Sequence, residues 1–454
     1  MTLRIIVSQQ RDVSLPVSPI NQWGDVRRID EPSPVYAQAQ PINIGHVVFF
    51  VEDLMLDAGI VIVGGGQAGG WAAKTLRDRG YTGRLSVVSD EPYDFYERPP
   101  LSKAALLDGN PPLSRLFSES AVAALNIDWY RPLRAEQIDA AAQTVTLSDG
   151  RRLRFTQLLI ATGGRPRLPD ARWAAQPQVM TLRSWDDAAR LRQALQRCRR
   201  LAIVGGGWIG LEIAASARKL GVEVTVFERQ PALCMRSVGV EVSQALLELH
   251  QRQGVTLHCG CGEITLTQRD GAAWLGSAVS AARPFDLVVV GIGVELNLEL
   301  ARSAGLQIEG GIVVDGQGRT SHPAIFAAGD VARHPTLGLC LQSWAYAQNQ
   351  AISTACAMLD AATAPYDDVA WLWSDQYDAN IQILGVPTGG VHQVVRRTPQ
   401  SQLFFTLNAD RQLVQMVAFN DARAIKLGKR WLASGRVLEP QQLADAEFSL
   451  MALK

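Results

Sequence analysis

The chain has 454 residues, of which 47% are hydrophobic and 19% charged. That length predicts about two to four domains, and the composition excludes a disordered chain. Lys plus Arg and Asp plus Glu each number 44, so no net field draws the protein to nucleic acid or to an anionic membrane.

Residues 1–57 hold scattered prolines and little periodicity. They read as a poorly ordered N-terminal extension, with His46–Val51 as a candidate strand or docking segment. No signal-peptide core follows Ile5–Val7 and no stretch reaches bilayer-spanning length, so a cytoplasmic location is expected. The pattern changes at Gly59. Gly59–Val63 is an apolar strand, Ala68–Arg79 a helix and Arg84–Ser89 a second strand, which together make a β-α-β unit. A buried strand at Leu158–Ile160 runs into Ala161-Thr162-Gly163-Gly164, and Pro166 and Pro169 mark a linker. The unit then recurs as strand Leu201–Val204, helix Trp208–Lys219 and strand Glu223–Glu228. Further strands are predicted at Phe285–Val290 and Ile325–Ala328. Beyond residue 366, β-rich runs (Ile381–Leu384, Gln402–Leu407, Leu413–Phe419) and a helix at Asp421–Ala433 suit a small α+β domain.

Each β-α-β unit has a Gly cluster between its first strand and its helix. In Gly64-Gly65-Gly66-Gln67-Ala68-Gly69, the first glycine of G-x-G-x-x-G allows the tight turn. Gly66 lets a pyrophosphate approach the backbone, and Gly69 lets helix and strand pack closely. The helix N-terminus then faces the negative pyrophosphate. An acid about 20 residues on should hold a ribose, and Asp90 or Glu91 is placed for that. Gly205, Gly207 and Gly210 repeat the pattern, with Glu228 ending the second strand. A carboxylate there favours the ribose hydroxyls of NAD over the 2′-phosphate of NADP, with Arg229 as a counterweight. Two such units imply two dinucleotides. The six cysteines are sparse and irregular. His258, Cys259 and Cys261 match no common zinc spacing, and no metal site is expected.

The segment Thr320–Asp330, ending in Ala327-Ala328-Gly329-Asp330, together with Ala161-Thr162-Gly163 resembles the two-dinucleotide flavoprotein superfamily. Tyr96-Glu97-Arg98-Pro99-Pro100-Leu101-Ser102-Lys103, Gly206–Glu212 and Trp373-Ser374-Asp375-Gln376-Tyr377 narrow the resemblance to the ferredoxin reductases of Rieske-type aromatic-ring dioxygenases. Close relatives of that group serve rubredoxins and haem monooxygenase ferredoxins. The likeness runs from about residue 58 to the end. It implies FAD on the first unit and NADH on the second, with hydride passing from nicotinamide to flavin and electrons leaving to a [2Fe-2S] ferredoxin. Asp90 is implied at the adenosine ribose, Arg98 and Lys103 at the flavin, and Asp330 at the ribityl chain. Trp344 and Trp373 are implied beside the two rings, and Gly291 at the NAD backbone. Lys103 would sit near flavin N5, paired with Glu212, and these two are the candidate catalytic residues. Gln342 stands where the family usually carries an acid.

The fold expected is α/β, with two doubly wound Rossmann-like domains and a C-terminal α+β domain. Residues 58–167 and 294–365 would form the FAD domain, 168–293 the NAD domain and 366–454 the last domain. Disulfide reductases of the superfamily carry a cysteine pair by the flavin. No cysteine precedes Cys198, so electrons must leave to an outside acceptor. An NADH-sensing interaction protein, to which the N-terminal extension lends some weight, is the reading from another class.

Overall fold

The computed structural model describes residues 41–44, 47–50, 58–269 and 271–453. Its chain divides into a unit Met1–Ala58 and a unit Gly59–Lys454. In the first unit, Pro41–Ile44 pairs antiparallel with Val47–Phe50, where His46–Val51 suggested a strand. The rest of the extension expected over residues 1–57 lies outside the described residues.

The second unit opens on Gly59–Val63, buried along its whole length. A continuous apolar run of this kind suits a parallel strand covered on both faces. Leu85–Val88 and Arg152–Ile160 flank it in parallel, Asp128–Tyr130 extends one side, and Ile325–Ala327 returns from far along the chain to pair with Arg152–Ile160. Antiparallel strands Thr144–Leu147 and Ala135–Asp139 complete a seven-stranded sheet. Helix Gln67–Asp78 packs beside helix Trp344–Leu359, with Ala68, Ala72, Ala73, Ala347, Ala351 and Ala355 in one core. These small residues let the two helices lie close together.

The chain leaves this sheet and comes back to it through an antiparallel ribbon, Gly164–Pro166 against Val294–Leu296. Between these strands lies a five-stranded parallel sheet in the order Val179–Met180, Leu287–Val290, Arg200–Val204, Glu223–Phe227, Thr256–His258. Helices Trp208–Lys219 and Val240–Arg252 belong to it. The strand expected at Phe285–Val290 is interrupted at Asp286, whose carboxylate accepts from the backbone N–H of Arg199 (3.0 Å) and Arg200 (2.8 Å). The residues before the break, Ser280–Phe285, pair instead in an antiparallel sheet with Ala272–Ser277 and Ile264–Arg269.

A five-stranded antiparallel sheet forms the C-terminal part, in the order Trp371–Gln376, Ala379–Gly385, Leu413–Phe419, Gln402–Leu407, His392–Arg397. Helix Ala422–Ser434 covers it, capped by Asp421 at one end and ended by Gly435 at φ 59°. The architecture is therefore the expected α/β class: two doubly wound units and a C-terminal α+β domain. Among the described residues no helix is long and apolar enough to cross a membrane.

Candidate active site

The two Gly-rich turns repeat one geometry. Gly64 has φ +126° and Gly205 φ +109°, a region that favours glycine. A Cβ on either would lie 2.2 Å from the Ala161 carbonyl or 2.5 Å from the Gly291 carbonyl. A Cβ on Gly69 or Gly210 would strike the carbonyl of Gly64 or Gly205, at 1.9 and 2.3 Å. Gly66 and Gly207 differ. Their φ angles, −89° and −83°, are open to any residue. A Cβ there would meet no protein atom nearer than 3.9 and 4.0 Å. Neither backbone strain nor packing requires glycine at these two positions, whereas a molecule seated against the turn does. Both residues are N-caps without a side-chain acceptor, which leaves the first N–H groups of each helix for an anion. Both turns thus fit a dinucleotide pyrophosphate.

At the second turn the acid is built in. Glu228 accepts from the Gly206 N–H at 2.6 Å and from the Gln230 N–H at 2.7 Å, while Arg229 is exposed. The first turn is different. Gly64 N–H bonds to the Val88 carbonyl as Gly205 N–H bonds to that of Phe227, so Ser89 takes the place of Glu228. Asp90 falls one residue further on and is exposed. Glu91 turns inward and accepts from Arg98 Nη2 (2.7 Å) and Tyr96 Oη (2.5 Å). Arg98 also donates to the Arg183 carbonyl, and the Arg183 guanidinium pairs with Asp330 at 3.1 Å. Asp330 is set by Gly329, at φ +79°, whose N–H donates to Gln350 Oε1 at 2.9 Å. Gly66, Arg98 and Asp330 converge, and Arg183 and Glu91 complete the cluster. Arg183 was invisible in the sequence because it lies past a linker and belongs to no motif.

The residues singled out from the two units meet at a third place. Lys103 Nζ lies 2.8 Å from Glu212 Oε2 and also donates to the Pro99 carbonyl at 3.1 Å. Glu212 is 3% exposed, on helix Trp208–Lys219. A buried carboxylate needs partners, and the hydroxyls of Ser102 (2.5 Å) and Ser374 (2.6 Å) supply two more. Neither serine was anticipated, since each gains its role only from long-range packing. Trp344 and Trp373 stand edge to face at 5.5 Å, and Trp371 stacks on Trp373 at 5.3 Å. Burial pushes the Glu97 carboxyl up, and the neighbouring Trp344 indole opposes that shift. Gln342 is exposed.

All six cysteines are free thiols. Burial pushes Cys198 up to about 12 and Cys259 and Cys340 up to about 11. Cys261 donates to the His258 carbonyl at 3.0 Å. Among the described residues no group of three His, Cys, Asp or Glu side chains is placed to hold a metal.

The profile of a pyridine nucleotide-disulphide oxidoreductase family matches residues 58–351, and that of a reductase C-terminal domain matches residues 371–454. The chain is 40% identical over 404 residues to the ferredoxin–NAD(+) reductase component of the anthranilate 1,2-dioxygenase system of Burkholderia cepacia, covering 86% of this chain and 98% of that one. It is 35% identical over 395 residues to the corresponding component of the p-cumate 2,3-dioxygenase system of Pseudomonas putida, covering 86% and 97%. Among solved structures, the ferredoxin reductase for the CYP199A2 system of Rhodopseudomonas palustris aligns with a TM-score of 0.82 at 34% identity, covering 87% of this chain and all of that one.

Proposed function

We propose that this chain, which belongs to the pyridine nucleotide-disulphide oxidoreductase family, passes electrons from NADH through FAD to a [2Fe-2S] ferredoxin that feeds a Rieske-type aromatic-ring dioxygenase. The contact between Lys103 and Glu212 carries this reading, because it joins the segment after the first Gly-rich unit to the helix of the second. Molecules bound on the two turns would then meet beside Lys103, Trp344 and Trp373.

FAD, when bound, would supply the redox chemistry the side chains lack, linking a two-electron donor to a one-electron acceptor. The protein binds, orients and shields. Gly64, Gly66, Gly69, Arg98, Asp330 and Asp90 belong to the FAD site in this reading, and Gly205, Gly207, Gly210, Gly291 and Glu228 to the NADH site. Lys103 presents an ammonium held by Glu212 where negative charge gathers, and the two tryptophans exclude water. The domain bounds follow the same division: 58–167 with 294–365 for FAD, 168–293 for NADH and 366–454 for the C-terminal domain. The lack of any cysteine before Cys198 supports transfer to an outside acceptor. A cytoplasmic location accompanies the reading.

The test is anaerobic mixing of the flavoprotein with NADH or NADPH, then cytochrome c reduction with and without a dioxygenase ferredoxin. Bleaching by NADH and ferredoxin-dependent reduction are expected. Bleaching without that dependence would exclude this acceptor. The likeness to the CYP199A2-system reductase favours a second reading, a haem monooxygenase ferredoxin as acceptor, and that ferredoxin belongs in the same assay.

A further inference from the structure

The Glu212 carboxylate is the end point of a buried hydrogen-bond chain that reaches well beyond Lys103. Ser374 Oγ lies 2.6 Å from Glu212 Oε1, and Gln376 Nε2 lies 3.0 Å from Ser374 Oγ. Gln376 Oε1 lies 2.8 Å from His250 Nε2, and the Tyr377 hydroxyl 3.1 Å from His250 Nδ1. Ser374, Gln376 and His250 are each 0% exposed.

Valence fixes the direction of the bonds from Glu212 to His250, and the neutral state of the ring fixes the last one. Ser374 has one hydrogen, and an ionised carboxylate only accepts, so that hydrogen goes to Glu212. Ser374 must then accept from the Gln376 amide N–H. This leaves the Gln376 carbonyl to accept from His250, whose proton must sit on Nε2; in the buried, neutral ring Nδ1 is then bare. That nitrogen accepts from Tyr377. Every donor in the chain points toward Glu212. On the far side of the carboxylate, Ser102 and Lys103 donate to Oε2. Burial holds His250 down at about 4, which keeps the ring neutral as the chain requires.

The elements that supply the chain are far apart in sequence. Glu212 and His250 lie on helices Trp208–Lys219 and Val240–Arg252, whereas Ser374 and Gln376 lie on the first strand of the C-terminal sheet. Tyr377 stands at the turn after that strand with φ 58°, a conformation bulky side chains seldom adopt. The turn also receives the Lys219 ammonium on the Tyr377 carbonyl at 3.0 Å.

We infer that Ser374, backed by Gln376 and His250, is a positioning residue for the Lys103–Glu212 pair. Its hydroxyl pins one carboxylate oxygen so that the other faces Ser102 and Lys103, and the C-terminal domain thereby sets the geometry of the hydride-transfer site. The inference rests on the proposed function of that site.

The test is a double-mutant cycle between Ser374→Ala and Glu212→Gln, measured on FAD-loaded protein by anaerobic stopped flow. Ser374→Ala should lower the limiting rate of flavin reduction on the order of tenfold, the effect of one charge-assisted hydrogen bond, with half-saturation by NADH changed less than about twofold. In the Glu212→Gln background the same substitution should add little, because its route of action is gone. Urea unfolding of the same four proteins gives a readout independent of turnover and should show a coupling between the two residues. If Ser374→Ala does not fold, Gln376→Leu replaces it, with a smaller loss in the same direction. A wild-type rate in either folded variant overturns the inference, as do losses that simply multiply in the double variant. Wild-type protein that NADH does not bleach would instead remove the proposed function itself.

Discussion

The two Gly-rich turns share a backbone and its close contacts and differ in the charged groups around it. The second takes its acid from its own unit, since Glu228 directly follows strand Glu223–Phe227 and accepts the Gly206 N–H. The first has Ser89 at that position and gathers its charged groups from distant segments: Glu91 and Arg98, then Arg183, then Asp330. A site closed by separate segments releases its ligand only when those segments part. A site with fewer such ties between distant segments lets its ligand come and go. The comparison matches a resident FAD on the first turn and an exchanging NADH on the second.

Breaking each turn separately should give the largest effects. Gly66→Val, which adds atoms where the pyrophosphate would lie, should yield colourless protein by absorbance. Gly207→Val should remain yellow while its NADH affinity falls on the order of a hundredfold, about 2.7 kcal/mol, in a binding titration. Colour lost from both variants would dissolve the distinction. Lys103→Ala touches the place where the turns communicate. It should slow flavin reduction at saturating NADH on the order of a hundredfold, as removal of a preorganised donor does elsewhere, and an unchanged rate would take the pair out of the reaction. Glu228→Ala should act on the second turn alone. It should weaken NADH about tenfold and narrow the preference over NADPH, with flavin content unchanged.

The last prediction concerns His250 and touches stability, leaving binding and turnover aside. Its folded value, about 4, lies below the ordinary 6.5. The unfolded chain therefore binds a proton that the fold refuses. Stability is full above pH 6.5 and declines as pH falls toward 4, by about 3 kcal/mol at most. His250→Gln should flatten that slope in urea unfolding; an equal slope in both proteins would mean that His250 is not its source.

The same contrast explains what the sequence made legible. The helix at Trp208–Lys219 and the strands Gln402–Leu407 and Leu413–Phe419 were located to the residue, because each is a compact apolar or amphipathic run bounded by turn residues. Lys103 and Glu212 were paired only through a family likeness, since no local pattern links residues so far apart. Counting along the strand leaves Asp90 and Glu91 equally placed, and only the family likeness singles out Asp90, because counting cannot tell which side chain turns inward. The roles of Arg183, Ser102, Ser374 and His250 are not legible in the sequence for a related reason. A serine on a strand or a histidine on a helix has no local signature, and its role appears only when packing brings a carboxylate or an amide within hydrogen-bond reach.

The most direct test of two dinucleotides with separate roles is to count them. Purified protein should hold a single FAD per chain through gel filtration, should retain no NAD(H), and should be bleached anaerobically by a single equivalent of NADH. Protein that retains NAD(H) while losing its flavin, or a bound flavin that NADH cannot bleach, would contradict the account.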